Sequence, residues 1–165
     1  MDFRNAKELL KVCQEQNLSI SAVMLQRELT EGEQDPEETD RKMDRVLEIM
    51  KSAASTPIHT PVKSMGGLIG GEAKKISDHK DAGKSLCGDL LERAVIYAMA
   101  TLETNASMGV IVASPTAGSA GIVPGLLLAL QETYDLSDEQ IKQGLYNASA
   151  IGYLAMRNAT VAGAV

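Results

Sequence analysis

The chain has 165 residues and a formal net charge of −6 at pH 7, and 44% of its residues are hydrophobic. It is long enough for one domain with its own core. Its acidic balance argues against binding to nucleic acids or to anionic membranes, since both bind basic surfaces. Only 3% of the residues are aromatic, so aliphatic side chains, alanine and methionine must form the core, which favours helices. We predict an all-α fold, mainly a helical bundle with glycine-rich loops and little or no sheet.

Apolar residues at helical spacing predict three amphipathic helices at the start of the chain. Asn5 is the predicted cap of the first helix, and Ser19 or Ser21 is that of the second. Pro57 then predicts extended or turn geometry that ends the helical region, since proline lacks the N–H that a helix interior needs. The three predicted helices cover residues 6–16, 22–30 and 37–52.

The spacing of apolar residues predicts four further helices in the rest of the chain. The third of these is apolar nearly all round, so we expect it to be buried. Ser137 and Gln140 have the spacing of a capping box at the start of the last helix. The four predicted helices cover residues 72–79, 88–104, 122–134 and 137–157. We divide the chain into N-terminal helices, residues 1–55, and a helical core with glycine-rich loops, residues 56–165, within one continuous domain.

The cysteines and the chain start bear on compartment and chemistry. Two cysteines, Cys13 and Cys87, are too few for a disulfide framework or for a four-ligand metal site. Structural roles are favoured for both, because most buried thiols are inert. No apolar run reaches the roughly 20 residues of a membrane span, and the first residues lack the apolar core of a signal peptide. We therefore expect a cytoplasmic protein.

Two glycine-rich segments stand out. The Gly-Gly segment, residues 64–72, holds two Gly-Gly pairs, and the charge-free segment, residues 105–125, holds four glycines and no ionisable side chain. Backbone N–H groups and hydroxyls in a loop that ends at a helix N-terminus suit a carboxylate or a phosphate. Small residues also allow close packing of helices, and the sequence leaves both interpretations open.

The sequence matches several known catalytic or ligand-binding motifs only in part. Gly83, Lys84 and Ser85 resemble the end of a phosphate-binding loop, but Asp78 stands where that motif needs glycine. The residues around Ser119 approximate a nucleophile elbow, yet no histidine follows His79 to serve as its base. No lysine is placed as a Schiff base, so we assign no catalytic residue.

Three stretches carry a family resemblance: NASMGVIVASPTAGSAGIVPG at residues 105–125, SMGGLIGGEAKKI at residues 64–76, and the glycine-bounded segment of residues 83–89. Together they resemble the alpha chain of iron–sulfur-dependent L-serine dehydratases, also called L-serine ammonia-lyases. The resemblance extends over the whole chain. It implies conversion of L-serine into pyruvate and ammonia, a step to which neither composition nor periodicity points.

The resemblance also implies a cofactor and a partner. A 4Fe–4S cluster would act as a Lewis acid on the substrate hydroxyl, and the alpha-proton base would belong to a beta chain within a homo- or hetero-oligomer. In this family the alpha chain continues into a Gly-Gly-Cys segment that supplies the first cluster cysteine. Cys13 and Cys87 do not match the cluster positions. We therefore expect a C-terminally truncated chain, inactive alone, that lacks the cluster ligands.

The residues expected to bind the substrate carboxylate are hydroxyl and N–H donors in the two glycine-rich segments, with Lys75 as a charge partner. They are Ser64, Gly66, Gly67, Lys75, Asn105, Ser107, Thr116, Ala117, Gly118, Ser119 and Gly121. Their expected role is binding and orientation. The alternative is a non-catalytic helical interaction module whose glycine-rich segments pack against a partner subunit.

Overall fold

A computed structural model describes residues 2–85, 87–114, 116 and 118–159. The described residues form helices and contain no strand, which confirms the predicted all-α class. The helices are α1 (Ala6–Gln16), α2 (Ile20–Glu31), α3 (Pro36–His59), α4 (Glu72–Asp81), α5 (Asp89–Ala106), α6 (Ile122–Tyr134) and α7 (Asp138–Asn158). Within the described part of the chain, none of them combines the length and the apolar character needed to cross a membrane.

The chain divides into two compact units. The terminal unit comprises the described residues up to Met43 and from Lys142 onward, and the central unit comprises Asp44–Ile141. The two boundaries between the units fall within α3 and α7. The division into residues 1–55 and 56–165 stays a prediction, and its boundary also lies inside α3.

The terminal unit has a small apolar core to which α1, α2 and α7 contribute. Phe3, Leu9, Val23, Met24 and Ala150 are buried in it, and the half-buried Cys13 packs against it. Both predicted caps are present, since Asn5 Oδ1 accepts from Glu8 N at 3.0 Å and Ser19 Oγ accepts from Ala22 N at 3.2 Å. These bonds satisfy N–H groups that the first turns of α1 and α2 would leave unpaired.

Asp2 links the start of the chain to α2 and α7. Its Oδ1 accepts from the Tyr153 hydroxyl at 2.8 Å, and Arg157 lies 3.2 Å from Oδ2. The hydrogen bond from Tyr153, assisted by Arg157 and Arg27, lowers the pKa of Asp2 to about 2. Arg27 also stacks over the Tyr153 ring at 3.9 Å from its centroid.

In the central unit, α4 and α6 both pack against α5. Residues of α3, α6 and the start of α7 form a buried apolar cluster, which consists of Leu47, Ala54, Leu128 and Ile141. Only one face of α6 is covered, because Ile122 is 67% exposed and Leu126 is 50% exposed. The expectation that α6 would be buried all round is therefore wrong. The predicted capping box of α7 is confirmed by reciprocal bonds between Ser137 and Gln140.

The third helix contradicts the sequence-based expectation at Pro57. We expected this proline to end the helical region, but α3 continues through it to His59. Pro57 cannot donate to the carbonyl four residues earlier, which belongs to the buried Ala53. Thr104 of α5 donates to that carbonyl instead, with Oγ1 2.9 Å from Ala53 O. A side chain distant in sequence thus satisfies the acceptor that proline leaves open.

This arrangement predicts thermodynamic coupling between Thr104 and Pro57. Thr104→Val should lower the free energy of unfolding by about 1–3 kcal/mol, because it leaves the buried Ala53 carbonyl unpaired. The same substitution should cost clearly less in a Pro57→Ala background, where residue 57 gains an N–H that can donate to Ala53 O. Urea unfolding of the four proteins of this cycle measures the coupling.

Thr101→Val is the matched control for this cycle. The Thr101 hydroxyl donates to Tyr97 O at 2.9 Å within its own helix, where the backbone N–H of the same turn can also satisfy that carbonyl. Its cost should not depend on residue 57. An equal cost of Thr104→Val in both backgrounds would contradict the proposed exchange of donors.

Candidate functional site

The Gly-Gly segment closes into a turn through Ser64. Ser64 N donates to Ile69 O at 3.1 Å, and Ile69 N donates to Ser64 Oγ at 3.2 Å. Gly67 N donates to Ser64 O at 3.0 Å, so this N–H is already used within the turn. Gly67 has a φ of 68°, a conformation that glycine adopts without strain. Gly66 and Gly67 are exposed at the tip.

The second Gly-Gly pair connects this turn to α4. Gly70 has a φ of 141°, and a Cβ at this position would lie 2.3 Å from Val62 O. Its N–H donates to Glu72 Oε2 at 2.6 Å. Only glycine fits here, because both the backbone conformation and the contact with Val62 exclude a side chain. The sequence alone assigns no role to Gly70 or Glu72, although both lie at the predicted start of a helix.

The N-terminus of α4 binds carboxylates of its own chain. Ala73 N donates to Oε1 of Glu103 at 2.8 Å, and Glu103 is only 1% exposed. The Gly70 N–H holds the pKa of the Glu72 carboxyl below its usual range, and the exposed Lys75 adds to this effect. A helix N-terminus favours negative charge, and here carboxyl oxygens of Glu72 and Glu103 already accept from N–H groups at the helix start. An external anion would therefore have to bind elsewhere.

A backbone hydrogen bond brings the Gly-Gly segment to the end of α5. Met65 N donates to Ala106 O at 3.0 Å. Asn105 and Ser107 flank that carbonyl, and Ser107 Oγ donates to Thr104 O at 3.0 Å. The structure thus brings the predicted residues at positions 64–67 next to the predicted residues at 105 and 107.

Thr116 and Ser119 form a second turn in the charge-free segment. Their hydroxyl oxygens lie 3.0 Å apart, and each residue's backbone N–H donates to the other's hydroxyl at 3.3 Å. Ser119 Oγ also donates to Ser114 O at 3.2 Å. Thr116 and Gly118 are exposed, whereas Ala117 lies outside the described residues. Between the described residues of this turn and the Gly-Gly segment, no hydrogen bond is formed.

The end of the charge-free segment packs helix against helix. A Cβ at Gly121 would lie 2.6 Å from Ala98 O, and one at Gly125 would lie 2.7 Å from Ala94 O. Gly121 and Gly125 are one helical turn apart, as are Ala94 and Ala98. The close-packing interpretation therefore holds for this part of the segment. A role of Gly121 in substrate binding stays a prediction.

Metal-binding side chains are not grouped in the described residues. No set of three or more His, Cys, Asp or Glu side chains in that part of the chain could hold a metal ion. Cys13 packs in the apolar core of the terminal unit, and Cys87 is exposed. The two thiols therefore do not fit an iron–sulfur cluster, which thiolate ligands bind as a set.

A cleft of about 250 Å³ lies elsewhere in the central unit, with the exposed His59 in its lining. Its cationic side chains are paired within the chain. Arg93 contacts both Asp89 and Glu132, and Lys80 lies 2.7 Å from Asp89. These pairs neutralise the positive charges that would attract a free carboxylate.

The matches with known proteins agree with the resemblance of the glycine-rich segments. A family model described as the serine dehydratase alpha chain matches residues 15–165. The chain belongs to the serine dehydratase alpha chain family. The segments at residues 64–76 and 105–125 lie within the matched range, so the resemblance that they carry is confirmed.

Three relatives illustrate the extent of the similarity. The chain is 42% identical over 162 residues to a probable L-serine dehydratase alpha chain of Bacillus subtilis, covering 98% of this chain and 54% of that protein. It is 36% identical to the L-serine dehydratase alpha chain of Peptoniphilus asaccharolyticus, with 98% and 56% covered. It is 32% identical to an L-serine dehydratase of Helicobacter pylori, with 99% and 36% covered. The chain thus spans about half the length of its alpha-chain relatives.

The two glycines of the charge-free segment should differ in their effect on stability. Gly121→Ala should lower the free energy of unfolding by about 1–3 kcal/mol, because its Cβ would meet the Ala98 carbonyl and force α5 and α6 apart. Gly118→Ala should leave stability nearly unchanged, since the nearest atom to its Cβ would be Thr116 Oγ1 at 3.9 Å. Chemical denaturation compares the two, and equal stabilities would contradict the packing role of Gly121.

Proposed function

We propose that this chain supplies substrate-binding segments of an L-serine ammonia-lyase, which converts L-serine into pyruvate and ammonia. Membership of the serine dehydratase alpha chain family supports the proposal, as do the names of relatives that align with 98% of the chain. Since the chain spans 54% of the Bacillus relative, the activity would belong to the longer assembly, and residues 1–165 alone would be inactive.

The observation that carries the proposal is the hydrogen bond from Met65 N to Ala106 O. It holds the tip of the Gly-Gly segment beside Asn105 and Ser107, so donors from two distant parts of the sequence share one surface. A carboxylate accepts several hydrogen bonds at once, and bonds to a charged acceptor are stronger than those between neutral groups.

The substrate carboxylate would be bound by hydroxyls and N–H groups, and the chain would orient L-serine without breaking a bond. Lys75 would contribute charge, and the hydroxyls of the 116–119 turn would need only rotation to face a ligand. Fixing the substrate in one orientation lowers the entropic part of the barrier. The binding residues of this proposal are Ser64, Gly66, Gly67, Lys75, Asn105, Ser107, Thr116, Ala117, Gly118, Ser119 and Gly121.

The proposal includes a 4Fe–4S cluster and a beta chain. Because the two thiols of this chain do not fit a cluster, its ligands would come from outside residues 1–165. A bound cluster would supply Lewis acidity at the substrate hydroxyl. The beta chain would supply the alpha-proton base within a homo- or hetero-oligomer. Cytoplasmic localisation stays a prediction.

Kinetics of hydroxyl variants test the binding assignment. In the full-length alpha chain assembled with its beta chain, Thr116→Ala and Ser119→Ala should each raise KM for L-serine about 10- to 100-fold, as expected for loss of a hydrogen bond to a charged group. Pyruvate release under exclusion of oxygen gives KM and kcat.

Thr30→Ala serves as the control for these variants. Thr30 is an exposed threonine of α2 whose hydroxyl donates to Gln26 O at 2.8 Å, far in sequence from either glycine-rich segment. Its removal should leave KM unchanged. Unchanged KM values in both Thr116→Ala and Ser119→Ala would remove the carboxylate assignment.

One observation favours the second candidate function, a non-catalytic helical module that packs against a partner subunit. Large apolar side chains are exposed beside the proposed donors: Met65 at 81%, Leu68 at 91%, Met108 at 77% and Val110 at 71%. Exposed apolar groups of this kind are typical of interaction surfaces. A partner contact and a substrate site can share this surface, and the kinetics of the hydroxyl variants separate the two functions.

A further inference from the structure

Glu103 has a buried carboxyl group, and only one of its two oxygens accepts a hydrogen bond from a described residue. It is 1% exposed, and its Oε1 accepts from Ala73 N at 2.8 Å. Its Oε2 forms no hydrogen bond with any described residue, although the Glu103 side chain lies close enough to the Glu72 carboxyl to help lower the pKa of Glu72. Burial of a carboxyl group with an unpaired oxygen costs stability, and an apolar residue would fill the same space without this cost. Packing alone therefore does not explain a glutamate at this position.

The contact of Glu103 fixes the point where the Gly-Gly segment enters α4. Ala73 lies in the first turn of α4, directly after Glu72, whose carboxylate binds Gly70 N at 2.6 Å. Gly70 itself is pressed against Val62 O. Through these contacts the Glu103 side chain holds one end of the Gly-Gly segment.

The same turn of α5 holds the other end of the segment. Ala106 O, three residues after Glu103, accepts from Met65 N at 3.0 Å. The Glu103 carbonyl also accepts from Ser107 N at 3.0 Å. Glu103 thus contacts the entrance to α4 with its side chain and the start of the charge-free segment with its backbone.

We propose that Glu103 is a positioning residue that fixes the Gly-Gly segment against the end of α5, so that the donors at residues 64–67 meet the substrate beside Asn105 and Ser107. Glu103 acts through the Ala73 N–H and does not touch the substrate. The proposal rests on the proposed function, because it specifies how that binding surface is held together. It assigns a role to a residue outside both glycine-rich segments.

The test uses the full-length alpha chain assembled with its beta chain. Glu103→Ala should raise KM for L-serine about tenfold or more while kcat stays within about threefold, because misplaced binding groups weaken ground state and transition state alike. Glu103→Gln should restore KM to within about threefold of the original value, since its amide oxygen can still accept from Ala73 N. Should Glu103→Ala fail to assemble, Glu103→Asp takes its place, because the shorter side chain withdraws the acceptor and should also raise KM.

Glu92→Ala is the matched control. Glu92 lies in the first turn of the same helix, is 5% exposed, and likewise has an Oε2 without a hydrogen-bond partner among the described residues. Both alanine variants remove a buried glutamate from α5, but only Glu103 contacts the entrance to α4. Equal KM values for Glu103→Ala and Glu92→Ala would overturn the proposal and leave Glu103 a merely structural residue.

Amide hydrogen exchange separates this proposal from the proposed function. Glu103→Ala should speed exchange of the amides of residues 64–73 about tenfold or more, because local opening becomes easier, whereas Glu92→Ala should not. If the unsubstituted assembly does not act on L-serine, the proposed function fails, and faster exchange still supports the positioning of the segment by Glu103. Unchanged exchange overturns the positioning role whatever the activity.

Discussion

The last turn of α5 fixes three separate segments of the central unit by hydrogen bonds. Thr104 Oγ1 donates to Ala53 O of α3, Glu103 accepts from Ala73 N of α4, and Ala106 O accepts from Met65 N of the Gly-Gly segment. Hydrogen bonds are directional, so they set the position of a loop more sharply than apolar contacts do. The surface proposed to bind the substrate therefore depends on the register of one helix end.

The glycines near this turn serve different purposes. Gly121 and Gly125 let α6 approach the backbone of α5 more closely than any side chain would allow. Gly70 allows the chain to pass Val62 in a conformation reserved for glycine. Gly66 has no atom within 4 Å of its would-be Cβ, so packing does not require a glycine there. An exposed glycine without a packing role is consistent with close approach of a ligand to the backbone.

Much of the fold could be predicted because a helix is indicated by patterns among residues close in sequence. Periodic apolar residues and the caps Asn5, Ser19 and Ser137 are properties of neighbouring residues, and the structure confirms them. The continuation of α3 through Pro57 could not be predicted. The Ala53 carbonyl, which Pro57 leaves without a donor, accepts instead from Thr104, 51 residues further along the chain. The burial of α6 could not be predicted for the same reason, because packing against α5, and not the composition of α6, determines which of its faces is buried.

The candidate site could be predicted only in part for the same reason. The glycine-rich segments were recognisable as sequences, but the sequence left open which part of the charge-free segment packs helix against helix, and ligand binding by the rest stays a prediction. Its end packs against α5, while the hydroxyls of the exposed Thr116 and the half-buried Ser119 lie together in a turn. The burial of Glu103 could not be predicted, because a glutamate in a helix is usually exposed and the flanking sequence gives no sign of burial.

The most direct test of the account is the activity of the full-length alpha chain purified with its beta chain without oxygen. Pyruvate release from L-serine is measured together with the visible absorption of an iron–sulfur cluster. The account predicts pyruvate formation that accompanies the absorption and is lost with it on exposure to air. A colourless, inactive assembly that iron and sulfide do not restore would contradict it, and the helical interaction module would then be the better description.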